Sequence, residues 1–154
     1  MLTRQHLTYD RTVDKRLDAD ELAGWVAWKR ASDAVWNQVV AAITAASGLS
    51  APDFSVLTRA VEGTRPLRQQ DLVDDLGWSR SRLSRQVARM EERGLVRRTA
   101  SPSSTVVEAT AEGRRRVAVA RSAHAEAVRA ALLERVGEAE RAAFWRTVRV
   151  LGEQ

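Results

Sequence analysis

The chain has 154 residues, no cysteine and a formal net charge of +5. That length suits one domain, or one domain shared with a second copy, and a core large enough to need no staple. The missing cysteine excludes disulfides, thiolate metal sites and thiol redox chemistry, and the basic balance suits an acidic partner without proving one.

The amino terminus, residues 1–17, is charged, lacks an apolar core of the signal-peptide kind and reads as a weakly ordered arm. A capping box follows. Asp18 caps a helix, Glu21 is its reciprocal partner, and Leu17 and Leu22 are placed as a hydrophobic staple. This first helix is expected to run to about Ala46 and to stop at Gly48. Leu22, Trp25, Trp28, Val35, Trp36, Val39, Val40, Ile43 and Ala46 share one wide face. So long an apolar face calls for a second long element to cover it, on this chain or on a second copy. The uncharged run from Asp33 to Asp53 contains Asn37, Gln38, Thr44 and Ser47, which make it a poor membrane span.

A second helix begins at cap Ser50, with Pro52 in its first turn and Asp53 at the third position. Phe54, Leu57 and Val61 mark its inner side, and Gly63 ends it. The following "TRPL" reads as a short extended link, since Pro66 disfavours helix at Arg65. A third, short helix uses Leu72, Val73 and Leu76 inward and ends at Gly77. The fourth starts at cap Ser79 and ends at Gly94. "LVRRT" and "TVVEA" then predict two strands joined by the turn-rich "ASPSS". Thr110 caps a fifth helix expected to reach about Val136, where Gly137 breaks it. A last amphipathic helix carries Phe144, Val148 and Leu151.

The fourth helix holds the chemistry. Between Arg80 and Arg98 there are seven arginines against Glu91 and Glu92. With Leu83 as reference, Val87 and Met90 fall within about 40°, forming a core stripe. Arg82, Arg85 and Arg89 fall at about 260°, 200° and 240°, on the opposite side, with Ser81 and Ser84 beside them. Arg80 lies about 60° from Leu83, so a contact from it would come from the first turn. A solvated charged face is the plain alternative. Two short helices joined by a tight glycine turn, the second basic, followed by a hairpin, favour a winged helix-turn-helix whose fourth helix enters a DNA major groove. Arginine can read guanine bidentately, and serine hydroxyls and the helix amino terminus can hold phosphate.

At these residues the chain resembles the MarR family of transcriptional regulators. The resemblance covers about Asp18 to Leu151 and is most specific in "RQQDLVDDLGWSRSRLSRQVARMEERGLVRR" and in "TAEG", Thr110 to Gly113. It implies a mainly α fold with a small β-hairpin wing: a winged helix-turn-helix lobe, residues 50–109, flanked by long dimerisation helices in 18–48 and 110–154. It also implies a cytoplasmic homodimer with no cofactor. Such a dimer would act on a pseudo-palindromic operator with half-sites about 10 bp apart, where repression by occlusion is expected and the sequence does not distinguish it from activation. Ser79, Ser81, Ser84 and Arg85 match polar positions of the family's recognition helix, and Gly94 and Leu95 match its exit turn. The wing departs from the pattern. The family commonly carries Asp and Arg in the loop, where this chain has "SPSS", Ser101 to Ser104, and no charge lies between Arg98 and Glu108. Arg97 or Arg98 at the strand base would then contact phosphates instead.

Many members of the resembled family bind a small aromatic or acidic effector in a crevice beside the DNA-binding lobe. Trp25, Trp28 and Trp36 could stack on such a molecule, with Arg121 and His124 as polar partners. The competing reading makes the tryptophans interface core and His124 a packed side chain. Catalysis is poorly provided for: the two histidines, His6 and His124, are far apart and not at metal-ligand spacing, and no Gly-rich phosphate loop occurs. A dimeric winged-helix interaction module that binds no DNA, such as an antirepressor, is the third class.

Overall fold

The reciprocal cap at the first helix forms as its residue types dictate. In the computed structural model, which describes residues 16–63, 67–101 and 104–153, the Asp18 N–H donates to Glu21 Oε2 at 2.9 Å and the Glu21 N–H to Asp18 Oδ1 at 2.8 Å. Most of the expected arm, His6, the Thr64–Pro66 part of the link and Pro102–Ser103 at the wing tip lie outside those residues. Helix α1 spans Ala19–Ser47. Beyond it Gly48 takes a left-handed φ of 67°, which ends the helix. Leu17 and Leu22, expected as a staple, are both exposed.

Two compact units make up the chain, Met1–Asp33 and Ala34–Gln154. The first is the amino-terminal part of α1, whose Leu22, Trp25 and Trp28 are exposed. The second holds everything else. Of the expected α1 face, only Val39 and Ile43 are buried, while Trp36 is 61% exposed.

In the second unit α2 spans Ala51–Glu62, α3 Gln69–Leu76 and α4 Arg80–Glu92. Strands β2, Val96–Ser101, and β3, Ser104–Ala109, form the predicted hairpin, with Val96 opposite Ala109 and Arg98 opposite Val107. A third strand, β1, Leu67–Arg68, pairs antiparallel with β3, so the sheet order is β1-β3-β2. The sequence reading had only a link there, because two residues carry no alternation to detect.

Helix α5 spans Ala111–Val128. The expected run to Val136 is interrupted: Arg129–Leu133 forms a wider π-type turn before the short α6, Glu134–Val136. Gly137, φ 70°, separates this from α7, Glu138–Gly152. Among the described residues no single helix is long and apolar enough to cross a membrane.

One core joins these elements. Val39 and Ile43 of α1, Val56 and Leu57 of α2, Leu72 of α3, Leu83, Val87 and Met90 of α4, Val107 of β3 and Val117 of α5 belong to it. Leu83, Val87 and Met90 are fully buried, and each contributes about 1.5–3 kcal/mol by leaving water. This stripe fixes the rotation of α4 and therefore which of its residues face outward.

Candidate nucleic-acid interface

The turn between α3 and α4 sets the site. Gly77 adopts φ 62° and donates its N–H back to Asp74 O, while the Trp78 N–H reaches Val73 O at 3.2 Å. A left-handed residue here lets α4 start with only three residues between it and the end of α3. Ser79 caps α4 by accepting the Arg82 N–H at 3.2 Å, and its hydroxyl lies 3.2 Å from that of Ser81. The first turn of α4 therefore presents hydroxyls and unpaired backbone donors at a helix amino terminus.

The seven arginines divide by what they touch. Arg80 and Arg85 are exposed, and no acceptor among the described residues engages either guanidinium. Arg82 lies 4.2 Å from the ring centre of Trp78, a cation–π contact that holds it against the turn. Arg89 donates to Gln86 Oε1. Arg93 reaches inward, to Asp53 Oδ2 at 2.7 Å and to Gly48 O at 3.0 Å. Arg97 pairs across the hairpin with Glu108 at 3.1 Å. Arg98 clamps β2 to α4: its backbone N–H donates to Glu91 Oε1 at 2.9 Å and its guanidinium to Glu91 Oε2. The two arginines expected at phosphates from the strand base are thus both ion-paired within the chain. Ser81 is exposed and Ser84 half-buried, beside the arginine face.

Glu91 reports the strength of its clamp. The Arg98 backbone N–H, then the Arg98 guanidinium, hold its carboxyl below the ordinary 4.5, against a smaller push from desolvation. A depressed carboxyl contributes stability above its unfolded value and loses it as pH falls through the folded one. Stability should therefore fall below pH 4.5, and Glu91→Gln should make that fall shallower in melts taken from pH 7 to pH 3. Glu112, lowered chiefly by its hydrogen bond from Arg116, supplies part of the remaining decline.

An open groove of about 410 Å3 runs beside the amino terminus of α4, lined by Gln69, Gln70, Val73, Arg80, Ser104 and Thr105. Gln69, Gln70 and Thr105 are not among the residues expected from sequence; they meet Ser104 only when β3 folds back beside α3. Nor are Trp78 and Gln86, whose roles depend on their partners. Asp71, Asp74 and Asp75 serve locally. Asp71 accepts the Arg68 N–H at 3.3 Å, Asp74 accepts from Gln70 at 2.8 Å, and Asp75 pairs with Arg59.

The candidate effector residues are divided between the two units. Trp25 and Trp28 belong to the Met1–Asp33 unit and are exposed. Within the other unit, Arg121 donates to Glu62 Oε1 at 2.7 Å and Thr58 O at 3.3 Å, tying α5 to α2. His124 is half-buried with its ring 5.4 Å from that of Phe54. No group of three or more His, Asp or Glu placed to hold a metal ion occurs among the described residues.

Comparison with known proteins agrees with this geometry. The MarR family model matches residues 47–104, from the end of α1 to the start of β3. Sco3205, a MarR family transcriptional regulator from Streptomyces coelicolor solved in complex with DNA, is 27% identical with a TM-score of 0.80, covering 90% of this chain and 92% of that one. CouR from Rhodococcus jostii RHA1, solved with p-coumaroyl-CoA, is 26% identical with a TM-score of 0.69, covering 88% and 95%. CouR, described as a transcriptional repressor, bound to a 23-mer DNA duplex gives 26% and a TM-score of 0.75, covering 90% and 99%. No curated protein sequence matches significantly. The capped α4, the three-stranded wing sheet and likeness across nine-tenths of the chain agree: the central segment matches the MarR family model, and the chain has the winged-helix fold of MarR family transcriptional regulators.

Proposed function

We propose that the chain acts in the cytoplasm as a homodimer on a pseudo-palindromic operator, each copy placing α4 in one of two major grooves about 10 bp apart. One observation carries this reading. The Leu83–Val87–Met90 stripe is fully buried, which turns Arg82, Arg85 and Arg89 outward beside Ser79 and Ser81. Arg80, and Arg97 once freed from Glu108, extend the positive surface to either side; Arg98 and Ser84 support it from the helix flank. That Sco3205 and CouR were solved with DNA supports the same use of this fold here. CouR's description as a repressor favours repression over activation.

Dimerisation is supported by the apolar surface that the single chain leaves uncovered. In one unit Trp25 and Trp28 are exposed, and in the other Trp36, Val150 and Leu151 are exposed; a second copy would cover apolar surface of this kind. CouR's p-coumaroyl-CoA supports a small aromatic or acidic effector for this chain too. If Arg121 holds such a carboxylate, it must first exchange Glu62, while the tryptophans would contribute through the dimer.

Arg85 is the residue on which DNA reading should depend most, since nothing within the described chain competes for its guanidinium. Arg85→Ala should cost about 1–3 kcal/mol on the selected operator and less on unrelated duplex, measured by fluorescence anisotropy. Equal affinities for mutant and wild type would remove Arg85 from the interface. The uncharged "SPSS" favours a second reading, an interaction module that binds no DNA. It predicts no salt-sensitive complex with any duplex.

A further inference from the structure

Asp53 and Gln86 are the buried polar side chains of the described residues, 1% and 5% exposed. They touch: Gln86 Nε2 donates to Asp53 Oδ1 at 2.7 Å. The other carboxylate oxygen, Oδ2, accepts the Ser50 N–H at 2.9 Å and Arg93 Nη1 at 2.7 Å. A carboxylate offers only acceptors, so the amide nitrogen of Gln86 must face it. The Gln86 carbonyl oxygen is thereby forced the other way, where Arg89 donates to it from one turn along α4. A buried residue of α2 thus dictates the direction of a side chain on the outward face of α4. Among the described residues no such tether holds Arg80 or Arg85.

We infer that Gln86 is a positioning residue for DNA binding, acting through Arg89, whose guanidinium it holds ready for the nucleic-acid backbone. This rests on the reading of α4 as the DNA-contacting helix. Arg89 has five N–H donors and gives one to Gln86, so the rest remain for phosphate oxygens. An arginine already held loses less rotamer freedom when it binds than one that is free. The relay explains why the chain buries a carboxylate and a carboxamide together. Asp53 fixes Gln86, and Gln86 fixes Arg89.

The test is a double-mutant cycle with the full-length protein and a labelled duplex enriched from a random pool. Gln86→Met keeps the volume and removes both hydrogen bonds. In the wild-type background it should weaken binding about fivefold to tenfold. In an Arg89→Ala background it should change binding by less than about twofold. The same weakening in both backgrounds overturns the inference, because Gln86 would then act without Arg89. So does Arg89→Ala with undiminished affinity while Arg85→Ala weakens binding. If neither arginine variant alters binding, the reading of α4 itself fails. A second measurement needs no Gln86 variant. In the free wild-type protein the Arg89 Nη resonances should be resolved by slow guanidinium rotation and those of Arg85 averaged. Averaged Arg89 signals contradict the tether.

Discussion

Asp53→Ala is expected to cost about 3–5 kcal/mol, a large part of the stability of a domain of this size. The carboxylate is 1% exposed and serves three partners at once. It closes the capping box of α2 with the Ser50 N–H, orients Gln86 of α4, and neutralises Arg93, which also holds the carbonyl of Gly48 behind α1. Alanine leaves the Gln86 amide buried without an acceptor and Arg93 without its counter-charge. Hydrogen bonds to a charged group are worth about 1.5–3 kcal/mol each, and losing several together is what makes the cost large. Asp53→Asn keeps one acceptor oxygen and should cost about half as much. Urea denaturation of both variants checks the order; an Asp53→Ala protein within about 1 kcal/mol of wild type would mean that the network adds little.

Gly113→Ala is expected to be the second most damaging change, at about 3 kcal/mol. A Cβ at Gly113 would stand 2.1 Å from the Leu95 carbonyl oxygen and 3.0 Å from Leu57 Cδ2. The oxygen cannot step aside, because it accepts the Thr110 N–H at 3.1 Å, while the Thr110 hydroxyl donates to the neighbouring Gly94 carbonyl at 2.6 Å. That hydroxyl also accepts the Gly113 N–H at 3.0 Å and so caps α5. The "TAEG" sequence is therefore a weld: Thr110 ties the exit turn of α4 to the start of α5, and Gly113 lets the two backbones approach. Gly24→Ala is the contrasting case. It lies inside α1 with nothing within 4 Å of the new Cβ, so it should stabilise by about 0.5–1 kcal/mol through helix propensity. Thermal melts of the two variants should move in opposite directions.

Much of the fold was legible because it is specified locally. The caps at Asp18, Ser50, Ser79 and Thr110 are short-range hydrogen bonds written in residue type and spacing, and all four form. The core stripe of α4 follows from a period of 3.6. What stayed hidden depends on partners distant in sequence. Arg93 and Asp53 are 40 residues apart, and Gln86 and Asp53 are 33 apart. No spacing rule reveals that Arg93 is an internal strut while Arg85 meets no acceptor among the described residues. Arg98 is separated from Glu91 by only seven residues, yet the helix-to-strand turn between them breaks any periodicity. Strand β1 is too short to show a pattern, and the π-type turn at Arg129–Leu133 contains neither glycine nor proline to announce it. The helical period thus sorts the arginine-rich stretch into faces, and the structure divides it further between clamps and outward-facing cations.

The measurement that tests the DNA-binding role most directly is selection of duplexes from a random pool by the purified full-length protein, followed by affinities across salt. The expected result is one enriched pseudo-palindrome with half-sites about 10 bp apart. If a dimer neutralises about eight phosphates, its log K should fall against log salt with a slope of about −7. Retention of all sequences alike, or no salt-sensitive complex at all, would contradict the assignment of α4 as a sequence-reading helix.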